Sequence, residues 1–445
     1  MNINSLYLRI HFWISDFFKG SPIGKHYREI KFLSENNYEK GEKIRDRKLE
    51  NLLTYAINNT DFYSKLTPSL EIFPVINKTI CIENAHRISV PVNKIPNHRG
   101  KLHIQTTSGS TGTPFAIPQD SEKRIRRIAE LKYFGKVVGF KTHEKLIHLR
   151  AWNKWQSKTA KQIKKENIVP FDISDMSDNK MSELCRLIKS ERAICLRGYA
   201  SSFDILAKYV KSHPSTFPDL KIIIAGSETL HDDTRHSILT TLKCNVISQY
   251  ANEECGILAQ EMIHPQHISD QNDNNVMYLN HASYFFEFLK LDNDTPASYG
   301  EMGRIVITDL HNYAHPIIRY DTGDVGILMP PNKYSNGYPV LGRLYGRKMD
   351  VCYSTSNQPI SPMAIGRTMK HFDDVLQWQF IQKDQNVYIL KVVPIDSNNW
   401  NNKSIAVESL SQILGRDAKI QVQLVEETPV LASGKRKMVI NEWKQ

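Results

Sequence analysis

The sequence predicts an α/β protein in which a large multi-layered N-terminal region, residues 1–346, precedes a small α+β C-terminal domain, residues 347–445. Short apolar runs alternate with amphipathic segments through most of the chain, which is the pattern of strands flanked by helices. A chain of 445 residues is also too long for one hydrophobic core and long enough for two or three domains.

The N-terminal region contains helices and short buried strands in alternation. Apolar positions at helical spacing predict helices over residues 43–58, 181–190 and 201–211, and compact apolar runs predict strands over 192–197, 221–225, 243–250 and 303–309. Residues 330–339, rich in Pro, Asn, Gly and Tyr, predict a loop.

The C-terminal hundred residues have a different pattern. Strand-like runs cover 378–381, 387–393 and 419–425, and one helix is expected over 404–413. About one hundred residues is a usual size for an independent domain.

Composition excludes several function classes. Six cysteines stand singly without a CxxC pair, which favours reduced thiols in a cytoplasm over disulfides or a zinc site. The formal charge of +11 would suit nucleic acid, but no recognisable nucleic-acid module accompanies it. We therefore interpret the excess of positive charge as a solvated basic face and expect no nucleic-acid partner.

The first eighteen residues are strongly apolar but are interrupted by Arg9, His11 and Asp16. They are shorter than the ~20 residues that span a bilayer, and no small-residue cleavage site follows them. Two interpretations stay open, a helix packed on its own domain and an interfacial helix associated peripherally with the inner face of the membrane.

The clearest motif is TTSGSTGTP, residues 106–114, which follows a strand-like run. Its two glycines permit close backbone approach to a ligand, and its hydroxyls offer donors, so the loop suits a polyphosphate. It is not a Walker A loop, because no GK[ST] follows, and taken alone it is also typical of a plain linker.

Five further segments follow in order: GSETL (226–230), QYANEECG (249–256), IIRYDTGDVG (317–326), GRLYGRKMD (342–350) and ASGKRK (432–437). Their order and spacing resemble the adenylate-forming superfamily. FPVINKTI (73–80) and GEMGRIVITDL…PIIRYDTGD (300–324) resemble its phenylacetate–CoA ligase branch, especially CapK-like proteins linked with capsule and O-antigen loci. The resemblance covers about residues 40–440.

The resemblance implies ATP and Mg²⁺ as cofactors and assigns roles along the chain. The residues implied to hold the nucleotide are Thr107, Ser108, Gly109, Ser110, Thr111, Gly112 and Thr113 at the β,γ-phosphates, Gly226, Ser227, Glu228, Tyr250 and Asn252 around the adenine, Asp324 at the ribose, and Arg347 at the domain junction. Glu254 corresponds to the acidic Mg²⁺ ligand and Lys435 to the lysine that stabilises the adenylation transition state. In this superfamily the C-terminal lid rotates about a hinge, here near Asp350.

Alternatives stay open at several of these positions. Glu253 is adjacent to Glu254 and is an equally hard oxygen ligand. DTGD is a good turn sequence in its own right, and Lys435 lies in a basic cluster of a kind that is usually solvated.

The predicted reaction is activation of a carboxylate as acyl-AMP with release of pyrophosphate. Three departures from the family pattern concern its details: Pro114-Phe115 without a lysine, Ala251 in place of glycine, and VCYSTSNQPISP (351–362) without the glycine turn that lines the thiol tunnel. The last predicts that free CoA is a poor acceptor and that a carrier-protein thiol, an amine or a hydroxyl receives the acyl group. The alternatives are an adenylyltransferase that leaves AMP on a hydroxyl or cofactor, and a non-catalytic partner-binding member.

Overall fold

The structure is a computed structural model that describes the chain except for residues 1–2, 108–114, 151–158, 175, 264–275, 348–350, 361, 370, 397–399, 430–437 and 444–445. The described residues divide into two compact units. One holds the described residues of 1–109, 114–322 and 327–343, and the other holds those of 323–326 and 344–445. The domain boundary at 346/347 stays a prediction.

The helices of the described residues are α1 (Ile3–Phe18), α2 (Pro22–Glu35), α3 (Tyr38–Asn59), α4 (Lys78–Glu83), α5 (Ala85–Ile88), α6 (Ser121–Val137), α7 (Ala160–Glu166), α8 (Asp178–Ser190), α9 (Ala200–Ser212), α10 (Asp232–Thr241), α11 (Pro362–Met369) and α12 (Lys403–Leu414), with 3₁₀ turns at Leu70–Ile72 and Val92–Lys94. None of these helices is long and apolar enough to cross a membrane.

The strands of the described residues are β1 (His103–Thr107), β2 (Phe115–Gln119), β3 (Leu146–Arg150), β4 (Ile168–Asp172), β5 (Cys195–Tyr199), β6 (Ile222–Gly226), β7 (Asn245–Asn252), β8 (Gly256–Gln260), β9 (Met277–Leu279), β10 (Tyr284–Leu289), β11 (Met302–Asp309), β12 (Tyr320–Met329), β13 (Val340–Arg347), β14 (Cys352–Tyr353), β15 (Pro359–Ile360), β16 (Val375–Asp384), β17 (Val387–Pro394), β18 (Lys419–Leu424) and β19 (Val439–Asn441). The helices and strands predicted from the sequence are all present, with ends that differ by a few residues, and 330–339 lies between strands as predicted.

One sheet dominates the described residues, with strand order β10-β11-β12-β13-β9-β8-β7-β6-β5-β3-β4. The pairs from β4 to β7 are parallel, whereas β7–β8, β8–β9, β9–β13 and β10–β11 are antiparallel. The predicted α/β class is confirmed. The mixed sheet follows from the sequence, because parallel neighbours need helical crossovers and antiparallel ones need only short turns.

Helices α8, α9 and α10 supply the core beside the parallel strands. Their apolar positions recur at helical spacing, and the fully enclosed side chains include Leu184, Phe203, Leu206 and Ile238. They pack with strand residues such as Ile223, since a parallel strand with a helix beside it must be apolar along its length.

The second unit has its own sheet of order β18-β17-β16-β19 and its own core. Phe380 and Leu390 of the sheet are fully buried together with Leu410 of α12. This α+β arrangement is the one that the strand and helix pattern after Gly346 predicts.

A buried ion pair joins α6 to the end of β11. The Nζ atom of Lys123 lies 2.6 Å from Oδ2 of Asp309, and both side chains are fully enclosed. Lys123 also donates to the hydroxyl of Tyr284 at 3.1 Å, and the backbone N–H of His311 donates to Asp309. Each charge here is stable because the other is present.

We expect Asp309→Ala to lower the free energy of unfolding by about 3–5 kcal/mol, because the buried lysine loses its counterion. Asp204→Ala is the matched control, since Asp204 pairs with the largely exposed Lys208 at 2.8 Å and should cost less than about 1 kcal/mol. Urea denaturation followed by circular dichroism measures both. Equal losses in the free energy of unfolding of the two variants would contradict the expected stabilisation by the buried pair.

Candidate functional site

The carboxyl ends of the parallel strands carry GSE, residues 226–228. Gly226 closes β6 beside Gln249 of β7. Ser227 follows with φ of +64°, and the Glu228 carboxylate accepts a hydrogen bond of 3.0 Å from the backbone N–H of Ser201 at the start of α9. This is the sheet edge at which open α/β folds bind ligands.

Tyr250 and Asn252 lie further along β7. The Tyr250 side chain is buried, and its hydroxyl donates to Oγ1 of Thr322 at 3.2 Å. Asn252 Oδ1 accepts from the backbone N–H of Cys255 at 2.8 Å, so this side chain shapes the turn that follows β7.

Glu254 lies in the short turn between β7 and β8. Its side chain is only 9% exposed, and Oε1 accepts from the hydroxyl of Tyr320 at 3.5 Å. Tyr320 in turn stacks on Phe115, the first residue of β2, with ring centroids 6.4 Å apart. Tyr320 therefore connects Glu254 to β2, the strand that follows TTSGSTGTP.

Glu253, the alternative metal ligand, has different surroundings. Its side chain is 46% exposed, Oε2 accepts from Gln105 of β1 at 3.0 Å, and Oε1 lies 3.9 Å from a guanidinium nitrogen of Arg150. Its charge thus faces a guanidinium and an amide, whereas Glu254 is enclosed beside a phenol.

Three consecutive carbonyls of this turn each accept a hydrogen bond from a side chain. Arg127 donates to the carbonyl of Glu253 at 2.9 Å, Gln119 to that of Glu254 at 2.8 Å, and Tyr284 to that of Cys255 at 2.7 Å. The turn is therefore fixed by donors from α6, β2 and β10, and the direction of the Glu254 side chain is set with it.

Gly256 completes the turn with φ of +124°, a conformation that residues with a Cβ rarely adopt. A Cβ there would also lie 3.2 Å from Oε2 of Glu130 and 3.4 Å from the Tyr284 hydroxyl. The glycine lets the chain approach the buried polar groups beneath the turn.

Two arginines of α6 were not among the residues singled out from the sequence. Arg124 and Arg127 both donate to Oε1 of Gln105 and of Gln119, on β1 and β2, over 3.2–3.4 Å. Burial, and then the charge of Arg127, lowers the pKa of Arg124. The sequence signal for these arginines was their three-residue spacing in SEKRIRR, which follows the β1–β2 hairpin. This spacing places both side chains on one helix face.

The FPVINKTI segment lies along the start of β12. The backbone N–H of Ile76 donates to the carbonyl of Arg319, and that of Asp321 donates back to Ile76. The guanidinium of Arg319 donates to the carbonyl of Phe73 at 2.9 Å. The segment therefore supports the strand that carries YDTGD.

Asp324 lies within β12 and is 9% exposed. It follows Gly323, whose φ of +74° interrupts the regular alternation of the strand. The alternative in which DTGD forms a turn is wrong, because the segment belongs to the strand Tyr320–Met329.

Several predicted residues fall outside the described part. Ser108, Gly109, Ser110, Thr111, Gly112, Thr113 and Lys435 are not described. Thr107 ends β1 and Arg347 ends β13, and their side chains are likewise outside the description. Gly226, Ser227 and Glu228 share one strand end, and Tyr250, Asn252 and Glu254 share the adjacent strand and turn.

The donor chemistry of Glu254 fits Mg²⁺. Within the described residues there is no group of three or more His, Cys, Asp or Glu side chains able to hold a metal. Mg²⁺ is commonly bound by one or two carboxylates together with substrate phosphates and water, and a single enclosed glutamate suits that arrangement.

Neither the cysteines nor a cleft beside α3 contributes a residue to the predicted site. All six cysteines are buried, and burial, with the charge of Glu254 as a second cause, raises the pKa of Cys81 to about 12, which keeps the thiol protonated. A cleft of about 1160 Å³ in the described residues lies between α3, residues 68–75 and β10, and none of the predicted site residues lines it.

Solved structures share this architecture. A 2-hydroxyisobutyryl-CoA ligase in the postadenylation state, in complex with R3-HIB-AMP, matches with a TM-score of 0.70 at 16% identity over 92% of this chain and 91% of that one. An anthranilate CoA ligase in complex with anthranoyl-AMP has a TM-score of 0.55 at 13% identity over 76% and 65%. ATP-bound MatB from Rhodopseudomonas palustris has 0.56 at 14% identity over 75% and 66%.

Sequence comparisons add one family. Residues 352–442 match the CapK C-terminal domain. No curated protein matches the chain. The chain therefore has the fold of the adenylate-forming CoA ligases, and its C-terminal segment is similar to the CapK C-terminal domain.

Proposed function

We propose that this protein uses ATP and Mg²⁺ to activate a carboxylate as acyl-AMP and then transfers the acyl group to CoA or another acceptor. The observation that carries the proposal is the enclosed Glu254 on a turn whose three carbonyls are each fixed by a side chain, in a fold shared with adenylate-forming ligases. Mg²⁺ on Glu254 would neutralise charge on the phosphates.

In the proposed reaction a carboxylate oxygen attacks the α-phosphorus, the bond to the β-phosphate oxygen breaks, and pyrophosphate leaves. The chain's contribution is mainly positioning and electrostatic stabilisation. Arg124 and Arg127, half-buried beside the β1–β2 hairpin, are suited to the negative charge of the triphosphate. Lys435 is assigned to the transition-state charge on the family resemblance alone.

The edge of the parallel strands supports an adenine site. Ser227 and Glu228 extend from β6 next to β7, which carries Tyr250, and an aromatic face suits a flat base. The Glu228 carboxylate already accepts a hydrogen bond from α9, so its role would be to hold the shape of this edge.

We assign the protein to the phenylacetate–CoA ligase branch, in the cytoplasm, with a role in capsule or O-antigen polysaccharide biosynthesis. The match of residues 352–442 to the CapK C-terminal domain supports the polysaccharide role. The acyl acceptor stays open between CoA, a carrier-protein thiol, an amine and a hydroxyl. With any of these acceptors, the proposed substrate is a small-molecule carboxylate.

Carboxylate-dependent exchange of labelled pyrophosphate into ATP tests the reaction class. We expect exchange with at least one member of a carboxylate panel and none without a carboxylate. AMP incorporation into hydroxyl compounds without exchange would make the protein an adenylyltransferase, and absence of ATP binding would make it a non-catalytic member; either result contradicts the proposal.

Glu254→Gln should lower the exchange rate at least about 100-fold and raise the Mg²⁺ concentration needed for half-maximal rate, because a neutral amide is a poorer ligand for a hard cation. Glu253→Gln is the matched control and should change the rate less than about threefold, since its carboxylate is exposed to solvent and faces Gln105 and Arg150. A larger loss of exchange rate in Glu253→Gln than in Glu254→Gln would assign the metal to Glu253 instead.

Asp324→Ala should weaken ATP binding by about 2–4 kcal/mol, because charge-assisted hydrogen bonds to the ribose are lost. Asp321→Ala on the same strand is the control. Asp321 pairs with Arg304 at 2.6 Å, and Arg304 keeps Asp294 as a second partner in that variant. Calorimetric titration with ATP measures both affinities, and an unchanged value for Asp324→Ala would place the ribose elsewhere.

A further inference from the structure

Helix α1 is attached to the protein through its polar side chains. Asp16 is buried and accepts hydrogen bonds from the backbone N–H groups of Ile23 and Gly24 at the start of α2, at 3.0 and 2.8 Å. Ser5 accepts from Asn167 at 3.2 Å, and Arg9 donates to the carbonyl of Thr142 at 3.0 Å. Beside these polar contacts Phe12 packs against His143 and Trp13 against Tyr27, so the helix buries only part of its apolar surface.

The opposite face of α1 is apolar and exposed. Its large side chains there are between 49% and 85% exposed and comprise Ile3, Tyr7, Ile10, Ile14, Phe17 and Phe18. At about 100° per residue they occupy one continuous arc of about 100° along the whole helix. His11 and Asn4 border this arc, and no acidic side chain lies on it.

Basic side chains lie near the protein-facing side of the helix. Lys132 of α6 lies 5.2 Å over the ring of Phe12, and Lys136 lies 5.9 Å over the ring of Tyr27, which contacts Trp13. Exposed Lys164 and Lys165 lie in the last turn of α7, which ends at Glu166, the residue before the Asn167 that holds Ser5.

Acidic groups near α1 include Asp16, Glu144 and Glu166. Asp16 caps α2, and Glu144 lies 3.6 Å from the guanidinium of Arg9. Lys19 and Lys141 are exposed beside the helix end and beside Thr142. Lys19, Lys141, Lys164 and Lys165 therefore supply exposed positive charge near α1 and make up its lysine rim.

We propose that the exposed face of α1 binds the surface of an anionic lipid bilayer, with the helix lying in the plane of the interface. An apolar arc with aromatic side chains and a rim of lysines is the pattern of interfacial helices, in which apolar burial and attraction to anionic headgroups act together. A second copy fits this face less well, because a symmetric pairing would bring the two lysine rims together. The proposal does not depend on the enzymatic function.

The test is flotation of the full chain with vesicles of phosphatidylcholine alone and of phosphatidylcholine with about 30% phosphatidylglycerol. We expect binding to the anionic vesicles that is at least tenfold stronger than to the neutral ones and that falls as salt rises. The double variant Ile10→Glu/Ile14→Glu should reduce this binding at least tenfold. Ile405→Glu, at a comparably exposed position on α12, should bind like the parent chain.

Lys164→Glu/Lys165→Glu separates the charge contribution, and it should weaken binding to anionic vesicles while leaving the weak binding to neutral vesicles unchanged. Thermal unfolding of each variant verifies that the fold is retained, which the exposure of the substituted side chains favours. No binding to anionic vesicles would overturn the proposal. So would a concentration-dependent dimer in sedimentation that Ile10→Glu/Ile14→Glu abolishes while vesicle binding is unaffected.

Discussion

Lys123 and Asp309 bring two full charges into a region closed to water, and the groups around the candidate site are arranged about this pair. Lys123 donates to the hydroxyl of Tyr284, which donates to the carbonyl of Cys255. A continuous series of polar contacts therefore runs from the buried pair to the turn that carries Glu254. Loss of either charge would leave the other unpaired and would disturb the phenol that holds the turn.

The turn that carries Glu254 is supported by several elements. A β-turn alone fixes its backbone weakly, whereas here α6, β2 and β10 each supply a donor to a successive carbonyl. A Cβ at Gly256 would lie 3.2 Å from Oε2 of Glu130, a tight contact that the glycine avoids. Glu254 itself accepts from the Tyr320 hydroxyl at 3.5 Å. Under the proposed function, the support of its backbone would hold this carboxylate in position for a metal.

The sequence predicted the fold class and the strands that carry the motifs, because short apolar runs such as KIIIA and NVIS are typical of buried strands. It left Glu253 and Glu254 as alternatives, because adjacent residues differ in burial only through their neighbours. The structure distinguishes the two side chains, because Glu254 is enclosed whereas Glu253 is exposed. Glu253 contacts Gln105, which is 148 residues away in the sequence. The DTGD strand was ambiguous because glycine and aspartate favour turns, and the position of β12 between β11 and β13 in the sheet overrides that preference. The exposure of one apolar face of α1 depended on Asn167 and Thr142, distant partners that no local pattern reveals.

The charged groups around the turn differ in burial, and this difference bears on how a nucleotide would be received. Asp309 is fully enclosed with Lys123 at 2.6 Å, and Glu130 is enclosed 4.0 Å from Arg126, where burial raises the pKa of Glu130. Arg124 and Arg127 are only half-buried and donate to the side-chain oxygens of Gln105 and Gln119. Under the proposed function the guanidinium groups of Arg124 and Arg127 would interact with the phosphates, and the Glu254 carboxylate would bind the metal. Because the fully buried Asp309 pairs with Lys123 instead, these two arginines are not needed as its counterions.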